Sequence, residues 1–182
     1  MKKIFITGHR GMVGSAIVRK AQALGGYEIL PDFEKALQEL KPDLCSICTY
    51  SDSHTDYAVM AFEAGCHVFV EKPLATTVAD AERVVAAAKA ADRKLVIGYI
   101  LRHHPSWMRL IEEARKLGPP YVFRMNLNQQ SSGPTWETHK SLMQTTPPIV
   151  DCGVHYVDVM CQITDAKPVE VRGMGLRLSN DI

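Results

Sequence analysis

The sequence predicts an α/β fold, in which a Rossmann-like parallel sheet has helices on both faces and a smaller α+β domain follows it. Two observations lead to this prediction. Short apolar β-runs alternate with helical patterns over residues 1–98, which is typical of parallel strands joined by crossover helices. A glycine-rich turn also separates the first strand from the first helix, as in dinucleotide-binding domains. We therefore assign residues 1–98 to a dinucleotide-binding domain and residues 99–182 to a second domain.

The composition is that of an ordinary globular chain, and it argues against several classes of function. Of the 182 residues, 46% are hydrophobic and 23% are charged, and the net charge of +1 gives no electrostatic basis for binding nucleic acid or an anionic membrane. No apolar stretch is long enough to span a bilayer, and the first residues lack a signal-peptide pattern. The five cysteines lie within apolar segments, which predicts a reduced, cytoplasmic location.

The first element is a β-run over residues 3–7, and a G-x-x-G-x-x-G turn leads from it into a helix over residues 15–24. Gly8 permits the tight turn, Gly11 lets the backbone approach a pyrophosphate, and Gly14 lets the helix pack closely. The helix N-terminus adds free N–H groups for phosphate. A glycine-rich turn without a ligand is the alternative. The candidate cofactor-binding residues here are Gly8, Gly11, Met12, Val13 and Gly14.

A second strand is predicted over residues 27–30, and Asp32 follows it. Dinucleotide-binding domains place an acidic residue about 20 residues past the glycines, where it holds the ribose hydroxyls. Asp32 stands near that position, but it also precedes a helical pattern over residues 33–40 and suits the N-cap of that helix. The sequence leaves both roles open for Asp32.

A third strand is predicted over residues 43–48, and a polar loop from Thr49 to His54 follows, before a helix over residues 55–64. The strand contains Cys45 and Cys48 in C-x-x-C spacing. Residues i and i+3 face opposite sides of a strand, so these two thiols would not share a metal ion. We interpret them as small buried hydrophobic residues and predict no metal site.

The fourth predicted strand, residues 66–70, is an apolar run that ends at Glu71, Lys72 and Pro73. Ligands bind at the carboxyl edge of the strands in open α/β sheets. A lysine at this edge can hydrogen-bond a substrate hydroxyl and lower its pKa. A surface lysine before a proline turn is the alternative.

The last elements of the first domain are a helix over residues 78–91, capped by Thr76 or Thr77, and a strand over residues 95–98. The second domain is predicted to contain helices over residues 107–117 and 151–163, strands over residues 121–130 and 168–178, and a loop over residues 131–148.

Asp151 and His155 are four residues apart in the last predicted helix, so their side chains would share one face. A carboxylate beside an imidazole raises the histidine pKa and can orient its ring, and histidine is the usual general base near neutral pH. The alternative is an aspartate that interacts favourably with the helix dipole, next to a surface histidine.

The first 26 or so residues resemble the start of GDP-L-fucose synthases, which are extended short-chain dehydrogenases that use NADP. The resemblance lies in I-F-I-T-G-H-R-G-M-V-G-S-A-I. In that family an arginine at the position of Arg10 lies near the adenosine 2′-phosphate, which implies NADP. The chemistry of that family uses a Y-x-x-x-K pair, and no tyrosine of this chain has a lysine four residues later. A nucleotide-sugar epimerase or reductase therefore ranks last.

From about residue 32 onward the chain resembles the Gfo/Idh/MocA family of NAD(P)-dependent sugar and polyol dehydrogenases. The matching motifs occur in the order of that family and cover most of the chain. They are the loop with Thr49 and His54, the stretch A-G-C-H-V-F-V-E-K-P-L at residues 64–74, I-G-Y at residues 97–99 with Arg102 and Pro105, and D-C-G-V-H at residues 151–155.

The resemblance implies an enzyme that oxidises a secondary alcohol of a small-molecule sugar or cyclitol by hydride transfer to NAD or NADP. His155 would take the hydroxyl proton, Lys72 would hydrogen-bond the same oxygen, and Asp151 would hold the substrate or the lysine. The implied catalytic residues are thus Lys72, Asp151 and His155. Beyond the glycine turn, the implied cofactor-binding residues are Asp32, Thr49, His54, Glu71 and Lys72.

Two departures from the family pattern bear on activity. The family has a further strand-helix unit before the helix that begins near residue 33, and that unit carries its usual ribose-binding acid. Family members are also much longer, so the resemblance implies that residues 99–182 are a partial substrate or catalytic α+β domain. It is expected to be truncated at its C-terminal side, with an unpaired sheet edge. We therefore expect a fragment, a homo-oligomer that completes the sheet, or a poorly stable second half. A truncated, non-catalytic nucleotide-binding or interaction protein is the alternative to an active dehydrogenase.

Overall fold

The protein was analysed as a computed structural model, which describes residues 4–8, 10–25, 30, 32–128, 133, 136–137, 140, 142–144 and 146–176. The chain divides into two compact units, Met1–Gly98 and Tyr99–Ile182. Within the described part of the chain, every helix is too short or too polar to cross a bilayer.

In the described residues of the first unit, a parallel sheet has its strands in the same order in space as in sequence. The strands are β1 (Ile4–Thr7), β2 (Leu44–Ile47), β3 (His67–Val70) and β4 (Leu95–Ile97), paired in the order β1-β2-β3-β4. At the last position of β3, Val70 lies opposite Ile47 on one side and Ile97 on the other. Because all the pairs are parallel, the carboxyl ends of the strands lie along one edge. The predicted Rossmann-like α/β fold is confirmed.

The helices of the first unit follow the sequence pattern closely. They are α1 (Met12–Ala23), α2 (Phe33–Leu40), α3 (His54–Glu63), which a 3₁₀ turn over Ser51–Ser53 precedes, and α4 (Val78–Ala90). Thr77 rather than Thr76 caps α4, because the Asp80 backbone N–H donates to the Thr77 hydroxyl at 3.1 Å. The strand predicted over residues 27–30 falls outside the described residues, apart from Leu30, which lies in no strand.

The core of the first unit lies between the central strands and α3 and α4. Strands β2 and β3 are largely apolar and deeply buried, as expected for central strands of a parallel sheet. Aromatic rings join α2 to its neighbours, since the Phe33 ring lies 5.4 Å from that of Phe5 on β1 and 4.7 Å from that of Tyr57 on α3. The fully buried core side chains include Cys45, Ile47, Ala58, Ala61, Phe62, Cys66, Val68, Val70 and Val84.

The second unit is helical in its described residues. A 3₁₀ turn over Ile100–His103 leads into α5 (Pro105–Leu117), and α6 (Pro148–Asp151) is followed by α7 (Gly153–Ile163). Helices α5 and α7 pack together, with the rings of Trp107 and Tyr156 6.0 Å apart. The helix predicted over residues 151–163 is divided at Cys152, where ψ of −38° is helical but φ of −108° is not.

The two strands predicted for the second unit are not seen in its described residues. Residues 121–128 and 168–176 have no ladder partner there. In the first segment alternate side chains are partly covered, and the rings of Tyr121 and Phe123 lie 5.8 Å apart. In the second segment Val169 is fully exposed. Both segments have the residue types and the alternation that are typical of strands. A strand also needs a neighbouring strand to pair with, and the local sequence pattern does not show whether one is present.

Candidate functional site

The carboxyl edge of the sheet brings together residues that are far apart in the sequence. Gly8 follows β1, Thr49 lies just past β2, and Glu71 and Lys72 follow β3. The ends of β1 and β2 touch, because a Cβ atom placed on Gly8 would lie 1.9 Å from the Cys48 carbonyl oxygen. The ends of β3 and β4 are also close, since a Cβ on Gly98 would lie 2.9 Å from the Glu71 carboxylate. This is the edge at which parallel α/β sheets bind ligands.

The glycine turn has the local geometry of a phosphate-binding loop. Gly8 has φ of +66°, which favours glycine, and the Gly11 N–H donates to the Gly8 carbonyl at 2.9 Å. Helix α1 starts immediately after Gly11 and has no acidic residue in its first turn, so the partial positive charge of its N-terminus is not neutralised there. Arg10 and Gly11 are exposed, and Gly14 is buried within α1. Met12 and Val13 form the first turn of α1.

Asp32 acts as the N-cap of α2. Its carboxylate accepts a hydrogen bond of 2.9 Å from the Lys35 backbone N–H, and its backbone is extended. Of the two roles that the sequence left open for Asp32, the structure displays the cap. A ribose contact from this residue stays a prediction.

The loop after β2 is held by its own polar side chains. The Ser53 hydroxyl lies 2.7 Å from the Thr49 hydroxyl and donates to the Tyr50 carbonyl at 2.8 Å. His54, the first residue of α3, is 1% exposed. Its Nδ1 lies 2.7 Å from the Pro73 carbonyl oxygen and its Nε2 lies 3.0 Å from the Thr49 carbonyl oxygen. Both ring nitrogens of His54 thus face backbone oxygens, and a contact of His54 with a cofactor stays a prediction.

Glu71 and Lys72 are partly buried at the end of β3. The Glu71 backbone N–H donates to the Ile47 carbonyl at 2.9 Å, so the parallel ladder continues to this point. Burial raises the pKa of the Glu71 carboxyl, while a hydrogen bond from the Lys72 backbone and the charges of Lys72 and His54 oppose that shift. A partly desolvated carboxyl next to a lysine, at the ligand-binding edge of a sheet, is a common feature of active sites.

Asp151 and His155 belong to the second unit, on the consecutive helices α6 and α7. The Asp151 carboxylate is 5% exposed and accepts a hydrogen bond from the Cys152 thiol, with 3.2 Å between sulfur and oxygen. The His155 backbone N–H donates to the Cys152 carbonyl at 3.2 Å. Cys152 interrupts the helix between Asp151 and His155. Their spacing of four residues therefore does not by itself place the two side chains on one helix face.

One buried carboxylate near His155 has a partner that the sequence analysis did not assign. Asp158 is 7% exposed and accepts hydrogen bonds from Arg102 at 2.8 and 3.1 Å. The Arg102 guanidinium also lies 5.1 Å from the centre of the Tyr99 ring. Hydrogen bonding to Asp158 raises the pKa of Arg102, and burial, together with the charge of Asp158, raises the pKa of Tyr99. No sequence spacing indicates this cluster, because 56 residues separate Arg102 from Asp158.

The thiols near the sheet have the properties of buried hydrophobic residues. Burial raises the pKa of Cys45, Cys48 and Cys66, which disfavours the reactive thiolate form. Within the described residues, no three or more side chains of His, Cys, Asp or Glu are grouped so as to hold a metal ion.

Known proteins resemble the chain in both sequence and fold. The model of an oxidoreductase family with an NAD-binding Rossmann fold, GFO_IDH_MocA, matches residues 13–99. A D-glucoside 3-dehydrogenase of Escherichia coli is 31% identical over 142 residues, which cover 76% of this chain and 40% of that protein. An inositol 2-dehydrogenase of Acidothermus cellulolyticus is 30% identical over 152 residues, which cover 82% of this chain and 42% of that protein.

Among solved structures, an NAD-binding protein from Listeria innocua has the same fold, with a TM-score of 0.71 at 24% identity. The match covers 90% of this chain and 55% of that chain. The chain spans about two fifths of the length of the two curated relatives, 40% and 42%.

Proposed function

The chain belongs to the Gfo/Idh/MocA oxidoreductase family, and we propose that it binds NAD or NADP and oxidises a secondary alcohol of a sugar or cyclitol. The observation that carries this proposal is the carboxyl edge of the sheet, where the Gly8 turn, the Thr49 loop and the Glu71-Lys72 pair follow successive strands. The names of the relatives, a D-glucoside 3-dehydrogenase and an inositol 2-dehydrogenase, support a polyhydroxylated substrate.

The residues at this edge fit a dinucleotide. Gly11 is exposed at the start of α1, where a backbone N–H can face a ligand, and the first turn of α1 carries no acidic residue that would repel a pyrophosphate. The bound nicotinamide supplies the hydride acceptor. Thr49, Glu71 and Lys72 would approach its ribose, and the exposed Arg10 would meet a 2′-phosphate when the cofactor is NADP.

The chemical step needs a base for the hydroxyl proton and a donor for the developing alkoxide. We assign the base to His155 and the donor to Lys72. Asp151 would hold the substrate or the lysine. The Asp151 carboxylate is buried, and a buried carboxylate needs polar partners. This need supports a role for Asp151 in holding a polar group such as a hydroxyl or an ammonium.

A non-catalytic nucleotide-binding protein is the second candidate. One observation favours it: residues 121–128 and 168–176 have no strand partner among the described residues. This candidate predicts dinucleotide binding without turnover.

The two candidates are separated by binding and turnover measured on the same full-length preparation. Fluorescence titration with NADH and NADPH should give saturable binding under either candidate. Turnover is then followed as NADH or NADPH formation with inositols and glucosides as substrates. We expect Lys72→Met and His155→Gln to lower kcat by at least about a hundredfold while NADH affinity changes little. Turnover in both variants equal to that of the parent would contradict the catalytic assignments.

A further inference from the structure

His54 connects two loops of the cofactor edge through a fully buried ring. The ring is 1% exposed, and its two nitrogens lie 2.7 Å from the Pro73 carbonyl oxygen and 3.0 Å from the Thr49 carbonyl oxygen. Pro73 directly follows Lys72, and Thr49 begins the loop after β2. The ring therefore spans the gap between the ends of β2 and β3.

The chemistry of the two partners restricts the state of the ring. A backbone carbonyl only accepts hydrogen bonds, whereas a neutral imidazole carries one N–H and one acceptor nitrogen. A neutral ring would therefore direct a lone pair at one of the two carbonyl oxygens. Only the doubly protonated ring donates to both.

The charged groups around the ring are of both signs. The Glu71 carboxyl, at the end of β3, is close enough that the charge of His54 acts on it. On the same segment as His54, Asp52 and Asp56 are exposed carboxylates, and Asp56 pairs with Arg83 of α4 at 3.3 Å. Lys72 is a cation of the adjoining turn. It directly precedes Pro73, whose carbonyl oxygen contacts the ring.

We propose that His54 is a positioning residue which, as a doubly protonated ring, ties the Thr49 carbonyl to the Pro73 carbonyl and so holds Lys72 in place for ligand. The link between the two carbonyls does not depend on the proposed function. Only the expected effect on ligand binding rests on it. In this arrangement both ring nitrogens of His54 face backbone oxygens. It sets the distance between the loop that carries Thr49 and the turn that carries Lys72.

The protonation state is tested by NMR on the full chain labelled with ¹⁵N-histidine at neutral pH. The chain has seven histidines, and the His54 signals are those lost from the spectrum of His54→Phe. We expect both ring nitrogens of His54 to give protonated-type signals. One protonated and one unprotonated nitrogen would overturn the doubly donating tie.

The positioning role is tested with three variants that differ in which bond they keep. The carboxamide nitrogen of asparagine stands near the place of Nδ1, and that of glutamine near the place of Nε2, so His54→Asn keeps the Pro73 bond and His54→Gln keeps the Thr49 bond. His54→Phe keeps neither. His67→Gln is the matched control, because His67 lies at the opposite end of β3, where its Nδ1 accepts from the Lys94 backbone N–H at 3.0 Å.

We expect hydrogen exchange of the backbone amides in both loops, residues 49–53 and 71–75, to speed up together in His54→Phe. In His54→Asn and His54→Gln the effect should be confined mainly to the loop whose bond is lost. NADH affinity, measured where each variant is fully folded, should fall by at least about tenfold in His54→Phe and stay near the parent value in His67→Gln. A folded His54→Phe with parental exchange in both loops would overturn the proposal.

The outcomes separate this inference from the proposed function. If the parent chain binds neither NADH nor NADPH, the proposed function fails, while the NMR signals and the paired exchange of the two loops still decide whether the tie exists. If the parent binds a dinucleotide and His54→Phe binds it equally well, the positioning role fails and the proposed function stands.

Discussion

At the scale of single residues, Gly8 is the glycine with the closest backbone contact among those that the structure describes. Its φ of +66° lies in the region that favours glycine, and a Cβ atom there would overlap the Cys48 carbonyl at 1.9 Å. Both restrictions act on backbone atoms, which cannot move aside as a flexible side chain can. The turn after β1 therefore depends on glycine for its conformation and also for the close approach of β2.

We predict that Gly8→Ala lowers the free energy of unfolding by at least about 2 kcal/mol and abolishes NADH binding. The control is Gly25→Ala, because Gly25 also has positive φ, of +126°, but nothing lies within 4 Å of its Cβ position. Urea unfolding and NADH titration measure the two effects. Equal losses in both variants would mean that the contact with Cys48 does not matter.

A second prediction at this scale concerns Glu71. Burial raises the pKa of its carboxyl, so the folded protein holds this proton more tightly than the unfolded chain does. The stability that Glu71 contributes is thus present below the ordinary glutamate pKa and is lost as the pH rises through the raised value. As the pH rises from the ordinary glutamate pKa to the raised one, we expect the stability of the parent to fall relative to that of Glu71→Gln. Above the raised pKa the difference should level off.

Urea unfolding at a series of pH values, from below the ordinary glutamate pKa to neutral, measures this difference. The control is Glu63→Gln, which changes an exposed glutamate at the end of α3. A difference between parent and Glu71→Gln that is flat, or that rises with pH, would contradict the assignment.

At the scale of secondary structure elements, side-chain caps mark where two helices of the first unit, α2 and α4, begin. Asp32 caps α2, and Thr77 caps α4 through the 3.1 Å bond from the Asp80 N–H. The Thr77 hydroxyl in turn donates to the Asp80 carboxylate at 2.8 Å. Each cap satisfies a backbone N–H that the helix itself leaves without a partner.

We predict that Thr77→Ala lowers the free energy of unfolding by about 1 kcal/mol, because the Asp80 N–H loses its acceptor. Thr76→Ala is the matched control and should change it by less than about 0.5 kcal/mol, since Thr76 is exposed and precedes the cap. Urea unfolding of both variants measures the difference. A larger loss of stability in Thr76→Ala than in Thr77→Ala would contradict the assignment of the cap to Thr77.

The second unit offers a comparison between a partly buried ion pair and an exposed one. Arg102 of the 3₁₀ turn holds Asp158 of α7, whose side chain is 6% exposed. Removing the arginine leaves a buried carboxylate without its main partner. We predict that Arg102→Met destabilises the second unit by about 2 kcal/mol.

The control for that substitution is Arg109→Met. Arg109 pairs with Glu112 and Glu113 on α5, and all three side chains are substantially exposed, so its loss should change stability by less than about 1 kcal/mol. Proteolysis or hydrogen exchange of α7 reports on the second unit directly. Similar effects of the two substitutions would indicate that the Asp158 pair behaves as a surface pair.

At the scale of the whole molecule, the residues assigned to function are divided between two compact units. The proposed dinucleotide site belongs to Met1–Gly98, and the proposed base His155 belongs to Tyr99–Ile182. A ligand stabilises only the unit that binds it. Dinucleotide binding should therefore protect the first unit by itself.

We predict that NADH at a hundred times its Kd stabilises the first unit by about 2.7 kcal/mol. Hydrogen exchange in β1 to β4 should slow accordingly, while α5 retains its rates. Gly8→Ala, studied under conditions where it is folded, should show no such protection. Protection that begins in α5 would place the dinucleotide contact elsewhere.

Much of the first unit was predictable because its signals are local. The bounds of α2 agree with the predicted ones at both ends, and those of α4 differ by one residue, because N-caps and helical periodicity involve neighbours in sequence. The apolar run before Glu71 indicated a buried parallel strand, also from residues that are neighbours in sequence. The motifs after residue 32 indicated the family, which the sequence comparisons confirm.

The sequence by itself thus determined the alternation of strands and helices, the glycine turn and the family. Only the tertiary structure decided that His54 turns inward to two carbonyls, that Arg102 meets Asp158, and that the β-runs of the second unit stay unpaired among the described residues. The physical reason is the sequence separation of the residues that interact. Caps and periodicity depend on residues a few positions apart, whereas buried polar contacts and strand pairing depend on partners that the chain brings together only when it folds.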